Sequence, residues 1–156
     1  MSQTQGETLP ESTIPVASTR RPVHVEQAAV AVTLAPVAAD DVAGRPSARP
    51  RREPRYLLRL EAIECAGHPG AYDVYLGLPP GARPEDHPDR LAGRVSLVGP
   101  RPTADRPVRR FDVVVDVSRQ GQRLSAHPDD AVHVTLVPVY DWSDPLTIGT
   151  ISLHIG

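Results

Sequence analysis

Cysteine occurs once in the 156 residues, at Cys65, and the C-A-G-H turn it opens carries an imidazole, His68, three positions on. A soft thiolate beside an imidazole suits copper(I), so Cys65 and His68 are the pair through which the chain would handle a metal. Two ligands do not close a site, and a lone Cys at a strand end is ordinarily a small buried apolar residue. Asp86, His87 and Asp89 are a second group of metal- or proton-handling types, but they stand in a Pro- and Gly-dense loop, 79–90, where Pro fixes φ and Asp satisfies local backbone donors. His133 and His154 fall on outward positions of alternating segments, which makes them surface histidines. No nucleophile, base and orienting group share a spacing that would assemble a hydrolytic site, so the chain is expected not to be an enzyme. The aromatic residues point to contact chemistry instead. Tyr140, Asp141 and Trp142 form a tip with the sole Trp, and Tyr75 stands on the polar side of its segment. Exposed aromatic residues of this kind anchor protein interfaces; the alternative for Trp142 is that it folds back to cap the end of the domain.

The elements that must position these residues read as short strands. Residues 71–78 alternate strictly, with Tyr72, Val74, Leu76 and Leu78 on one face and Asp73, Tyr75 and Gly77 on the other, between turn residues and Pro-Pro-Gly. Before it, Tyr56–Cys65 alternates imperfectly, because Leu57 and Ile63 blur the pattern, and this predicts a central strand or a bulge. After it come 91–98, 111–117 (Phe111, Val113, Val115 and Val117 one way, Asp112 and Asp116 the other), 132–139 and Leu146–Ile155, with a helical turn near Leu124. Loops rather than crossover helices join them. The fold class is therefore all-β, an antiparallel β-sandwich of about six to eight strands over residues 55–156.

Residues 1–54 contain no aromatic residue and are rich in Pro, Ser, Thr and Ala, too little apolar surface to offset the entropy of ordering them. They are expected to be a disordered or flexible leader. Within it, 23–34 (V-H-V-E-Q-A-A-V-A-V-T-L) is the part that could form a short strand, although no turn partner stands nearby, and 45–55 reads as a stiff Pro/Arg linker. Lys+Arg is 17 against 19 Asp+Glu, a formal charge of -2, which gives no electrostatic case for nucleic acid or an anionic membrane. Every one of the basic residues is Arg, a bias of GC-rich, bacterial coding rather than a mechanism. A single Cys excludes an intrachain disulfide framework. The apolar run 28–39 is too short for a bilayer, where about 20 residues are needed, and the N-terminus lacks the pattern of a secretory signal, so a cytoplasmic, non-membrane protein is expected.

The segments R-Y-L-L-R-L-E-A-I, G-x-Y-D-V-Y-L-x-L-P-x-G-A-x-P-x-D-H-P, L-A-G-R-V-S-L-V-G, F-D-V-x-x-D-V, V-H-V-T-L-V-P and I-G-T-I-S-L, in this order from Arg55 to the end, resemble the C-terminal β-sandwich domain of bacterial tyrosinase-like proteins, the type 3 copper phenol oxidases. The resemblance covers nearly two-thirds of the chain. In that family six His ligands hold two coppers in a preceding helical domain, and nothing here matches it; the six His of this chain include no pair three or four apart on a helical segment. The resemblance implies a non-catalytic accessory domain that shields, stabilises or regulates a copper oxidase partner through protein contact, and Tyr75, Tyr140 and Trp142 are the contact residues that residue type and position suggest for it. It implies no resident cofactor, copper entering only transiently or through the partner. Two alternatives stand beside it: a free-standing small-molecule or carbohydrate module using the loops at one end, and a copper(I) delivery protein acting through Cys65 and His68.

Overall fold

A computed structural model describes residues 3–5, 13–26, 28–36, 55–68, 70–79, 81–97, 104–105, 109–124, 132–140 and 144–156. Ten strands and one helix occur among them: β1 Gln3–Gln5, β2 Ile14–Ser18, β3 Val23–Val25, β4 Val30–Pro36, β5 Tyr56–Cys65, β6 Ala71–Leu76, β7 Leu91–Ser96, β8 Arg109–Asp116, α1 Ser118–Leu124, β9 Val132–Pro138 and β10 Leu146–Ile155. All pair antiparallel in one path, β1-β8-β5-β10-β2-β4-β9-β6-β7, with β3 beside β10. The all-β, antiparallel expectation holds, with six strands, β5 to β10, over residues 55–156; the other four lie before residue 55.

Strand β4 turns this path into two layers. Its Ala35 and Pro36 pair with β2, whereas Val30 to Leu34 pair with β9. The first layer is thus β8-β5-β10 with β2 and β3, and the second is β9-β6-β7 with most of β4. Leu58, Leu60, Ile63, Val113, Ile148 and Ile151 from the first meet Leu34, Tyr72, Val74, Leu76, Val95 and Leu136 from the second in one buried cluster. Period-2 alternation with a single buried face per layer is what forces this arrangement. At the far ends of the path β7 lies close to β8, so the sheet nearly closes on itself.

A leader running to residue 54 is corrected over 14–36. Those residues supply β2, β3 and β4, and bury Ala17, Val23, Val25 and Leu34 in the common core. Their partners are distant in sequence: β2 and β3 join β10, and β4 joins β9. The apolar side chains are small, but four of them inserted into an existing core offset the ordering entropy that the segment could not meet alone.

Strand β5 is both central and bulged. It lies between β8 and β10, and its register against β8 shifts between Leu60 and Ile63. At the shift Ala62 takes φ 53°, in the left-handed region, and its N–H donates to Asp112 Oδ1 at 2.9 Å. Gly149 lies opposite, where a Cβ would stand 2.9 Å from that of Ala62. At one end of the sandwich Asp116 Oδ1 accepts from Ser118 N (3.0 Å) and Ser118 Oγ (2.6 Å), which starts α1. Burial pushes the Asp116 carboxyl up, but the bonds from Ser118 and Arg55 outweigh it and hold the pKa below its usual value. No helix among the described residues is long and apolar enough to cross a membrane.

Candidate partner-contact face

Alternation along β6 sends Tyr72, Val74 and Leu76 inward and leaves Asp73 and Tyr75 on the outer face of the second layer. Register then sets their neighbours. Asp73 faces Arg94 on β7, and Arg94 Nε donates to Asp73 Oδ1 at 2.8 Å with Nη2 at 3.5 Å from Oδ2. Tyr75 faces Thr135 on β9, which is only 8% exposed although it points away from the core. One strand further out, Thr33 Oγ1 and His133 Nδ1 stand 3.3 Å apart.

Tyr140 follows β9 and is the exposed large apolar side chain among the described residues, at 44%. The bond from Val139 N to Ala71 O, 2.9 Å, fixes the chain just before it beside the start of β6. The Arg94 guanidinium has its pKa raised first by Asp73 and further by Tyr140 and Tyr75, so both phenols lie within its field. The Tyr75 phenol is pushed up by burial, then by Asp73 and Glu85, against a smaller opposing effect of Arg94. It therefore remains a neutral hydrogen-bond donor. The structure thus brings Tyr75 and Tyr140 together around an Asp–Arg pair. Trp142 lies outside the described residues. The Asp73–Arg94 pair is the part that residue-type reasoning passed over, although both residues fall on outward positions of their alternating segments.

Cys65 and His68 are differently placed. Cys65 is buried in the core cluster and its Sγ donates to the Pro145 carbonyl at 3.5 Å. His68 is exposed, and its backbone is locked to Asp144: His68 N donates to Oδ2 at 2.7 Å and Asp144 N to His68 O at 2.8 Å. Among the described residues no three His, Cys, Asp or Glu side chains gather as a metal group. The 79–90 loop forms two consecutive 3₁₀ turns, Pro84–Asp86 and Pro88–Arg90, closed by backbone bonds such as His87 N to Pro84 O. Neither N-cap residue, Arg83 or His87, makes a side-chain cap bond. His133 is half-buried, and His154, expected at the surface, is 8% exposed.

Between the layers lies an apolar cavity of about 10 Å³ lined by Tyr72, Leu60, Ile63, Val95 and Leu136 among others, room for no more than a water. The Tyr72 hydroxyl is buried without a hydrogen-bond partner among the described residues, and burial, then Cys65 and Asp144, push its pKa up to about 12.

Residues 12–155 match a family described as a domain of unknown function (DUF7868). That match begins well ahead of residue 55, in accord with the strands at 14–36. No curated protein matches the sequence. Among solved structures, a latent aurone synthase (polyphenol oxidase) from natural source is similar with a TM-score of 0.59 at 18% identity, over 88% of this chain and 26% of that one. The recombinantly expressed form gives 0.57 at 17%, over 88% and 26%. A latent apple tyrosinase gives 0.52 at 21%, over 86% and 27%. This chain spans about a quarter of the length of those oxidases, and at such identity the shared property is the fold.

Proposed function

The chain belongs to that family, whose description leaves its role open, and we propose that it is a non-catalytic accessory domain acting on a copper oxidase of the polyphenol oxidase class by protein contact. The observation that carries this reading is one of proportion: the fold fills nearly all of this chain and only a quarter of latent enzymes of that class. A domain with this fold and without the rest of such an enzyme is suited to shield, stabilise or regulate a catalytic domain supplied by another chain. Copper, in this reading, belongs to the partner.

The contact is made by the outer face of the second layer. Tyrosine and arginine are enriched at interface cores because they supply large amphipathic area with few rotors, and charged residues other than Arg are depleted there. Tyr75, Tyr140 and Arg94 fit that composition, and Trp142 follows Tyr140 by two positions. Arg94 is pre-oriented by Asp73, which lowers the entropy cost of holding it in an interface. The copper(I) delivery alternative would need the Cys65 thiol to leave the core and the Pro145 carbonyl.

The test mixes the chain with a catalytic domain of a polyphenol oxidase that lacks its own sandwich domain. Co-elution and a fall in catechol turnover on addition are expected. No association at micromolar concentrations ends the reading.

A further inference from the structure

Strand β2 is the seam of the molecule, because the hydrogen-bonded path from the first layer to the second runs β10-β2-β4. Ser152 and His154 lie where β10 meets it. Ser152 pairs with Ser18 and His154 with Pro15, and the register shifts between Leu153 and His154. Both point away from the core, since their neighbours Ile151 and Leu153 are in it. They are nevertheless 5% and 8% exposed, and Leu57, which faces His154 on β5, is 4% exposed. A titratable imidazole is thus shut away from water on the outside of the sheet.

Its hydrogen bonding is one-sided. His154 Nε2 lies 2.9 Å from Ser152 Oγ, while Nδ1 is buried with no partner among the described residues. The neutral tautomer with its proton on Nε2 satisfies this arrangement best, because a bare ring nitrogen without a donor costs less than an N–H without an acceptor. Protonation would add that N–H on Nδ1 and a charge in the same step. Among the described residues nothing is placed to receive either. Arg59, diagonal to His154 through the Arg59–Ser152 pairing, is a cation whose own Nε is buried without a partner. Glu61 is held by Arg59 at 3.0 Å. On β2 the facing residues Ile14, Pro15 and Val16 carry no charge. On β8, beyond β5, Val114 faces Arg59 and Asp116 faces Leu57, and Asp116 is engaged by Arg55 at 3.3 Å and by Ser118.

We propose that His154 is an acid-sensitive pin at the seam between the two layers: neutral, it seats beside Ser152 and leaves the pairing of β10 with β2 intact; protonated, it becomes a buried cation beside the partly exposed Arg59 and frees that pairing. Burial, and then Arg59, lower the His154 pKa in the folded chain. The sign follows. An unfolded His titrates near pH 6.5, so the folded state binds fewer protons than the unfolded state below that value. The stability that depends on neutral His154 is complete above about pH 6.5 and is lost as pH falls through the depressed folded pKa. Because β2 has short pairings and links the layers, the loss falls first on β2 and on residues 152–155.

Urea unfolding of the whole chain between pH 7.5 and 5, compared with His154→Gln, reads the pin. The unfolding midpoint of the wild type should drop with acid more steeply than that of the variant. Amide exchange at Ala17, Ser18 and residues 152–155 should accelerate in acid ahead of β6. Equal pH slopes in the two proteins overturn the proposal. If His154→Gln does not fold, Arg59→Gln serves, with the His154 titration followed by NMR: its pKa should rise toward the free value, and a pKa already at or above that value in the wild type also overturns it.

Discussion

The outer faces of the two layers are built from different chemistry. That of the first is laced with charge: Arg59–Glu61 and Arg110–Glu64 at 3.0 Å, Arg55–Asp116 at 3.3 Å, and Asp112 on the bulge N–H of Ala62. That of the second carries Tyr75, Thr135, Val137, Ala31 and the Thr33–His133 contact, with Asp73–Arg94 as its ion pair. Exposed ion pairs contribute little to stability, but each must be dehydrated before another surface can settle on it. The first face therefore resists association. The second presents phenols and small side chains around a pre-formed Arg fork, and costs less to dry.

The largest way to break this contrast is at the tyrosines. Replacing Tyr75 and Tyr140 together by Ala should weaken association with the oxidase domain by about 3 kcal/mol, roughly a hundredfold, as loss of aromatic anchors does. Arg110→Ala on the other face should leave affinity within about twofold. Isothermal titration of both variants decides it, and equal losses would remove the distinction between faces.

A smaller effect tests the first layer as scaffold. A Cβ at Gly149 would meet the Ala62 Cβ at 2.9 Å and the Glu61 carbonyl oxygen at 3.2 Å, both attached to backbone that must shift. Gly149→Ala should therefore cost about 1–3 kcal/mol in urea unfolding while the affinity of the folded fraction is retained. Ala62→Gly works in the opposite direction at the same place. Ala62 has φ 53°, and Gly adopts that conformation without the Cβ clash, so a gain of about 0.5–1 kcal/mol is expected. A loss would mean that the Ala62 methyl group packs usefully at the bulge.

These positions also mark what could be read from residue order. The inward set of β6 and the charged outer set of β8 were legible, because a strand's period of two is written locally. The irregularity at Leu57 and Ile63 was legible as a bulge or a central position, and β5 has both properties. Strand β2 was not, and β3 and β4 showed only as a segment, 23–34, that could form a short strand, because their partners β9 and β10 lie about a hundred residues on and no hairpin turn announces them. The candidate face was half legible. Tyr75 and Tyr140 stood out by type, but their gathering around Arg94 depends on a register that shifts at Tyr75. The burial of His154 was illegible for a further reason: alternation tells which side of the sheet a residue takes, not whether that side meets water.

The smallest predicted effect separates recognition from support. Asp73→Asn removes the carboxylate to which Arg94 Nε donates but keeps the shape of β6, and since the Arg94 side chain is about half exposed the unfolding midpoint should stay close to that of the wild type. What changes is the freedom of the guanidinium. Unpaired from Asp73, the fork must be ordered during association, so the on-rate should keep its salt dependence while dissociation speeds up. If Arg94 instead served only to hold β7 to β6, dissociation would be untouched and the midpoint would fall. Stopped-flow association and dissociation, run at two ionic strengths beside a thermal melt, distinguish the two, and the contrast between the faces then rests on what Arg94 does rather than on what surrounds it.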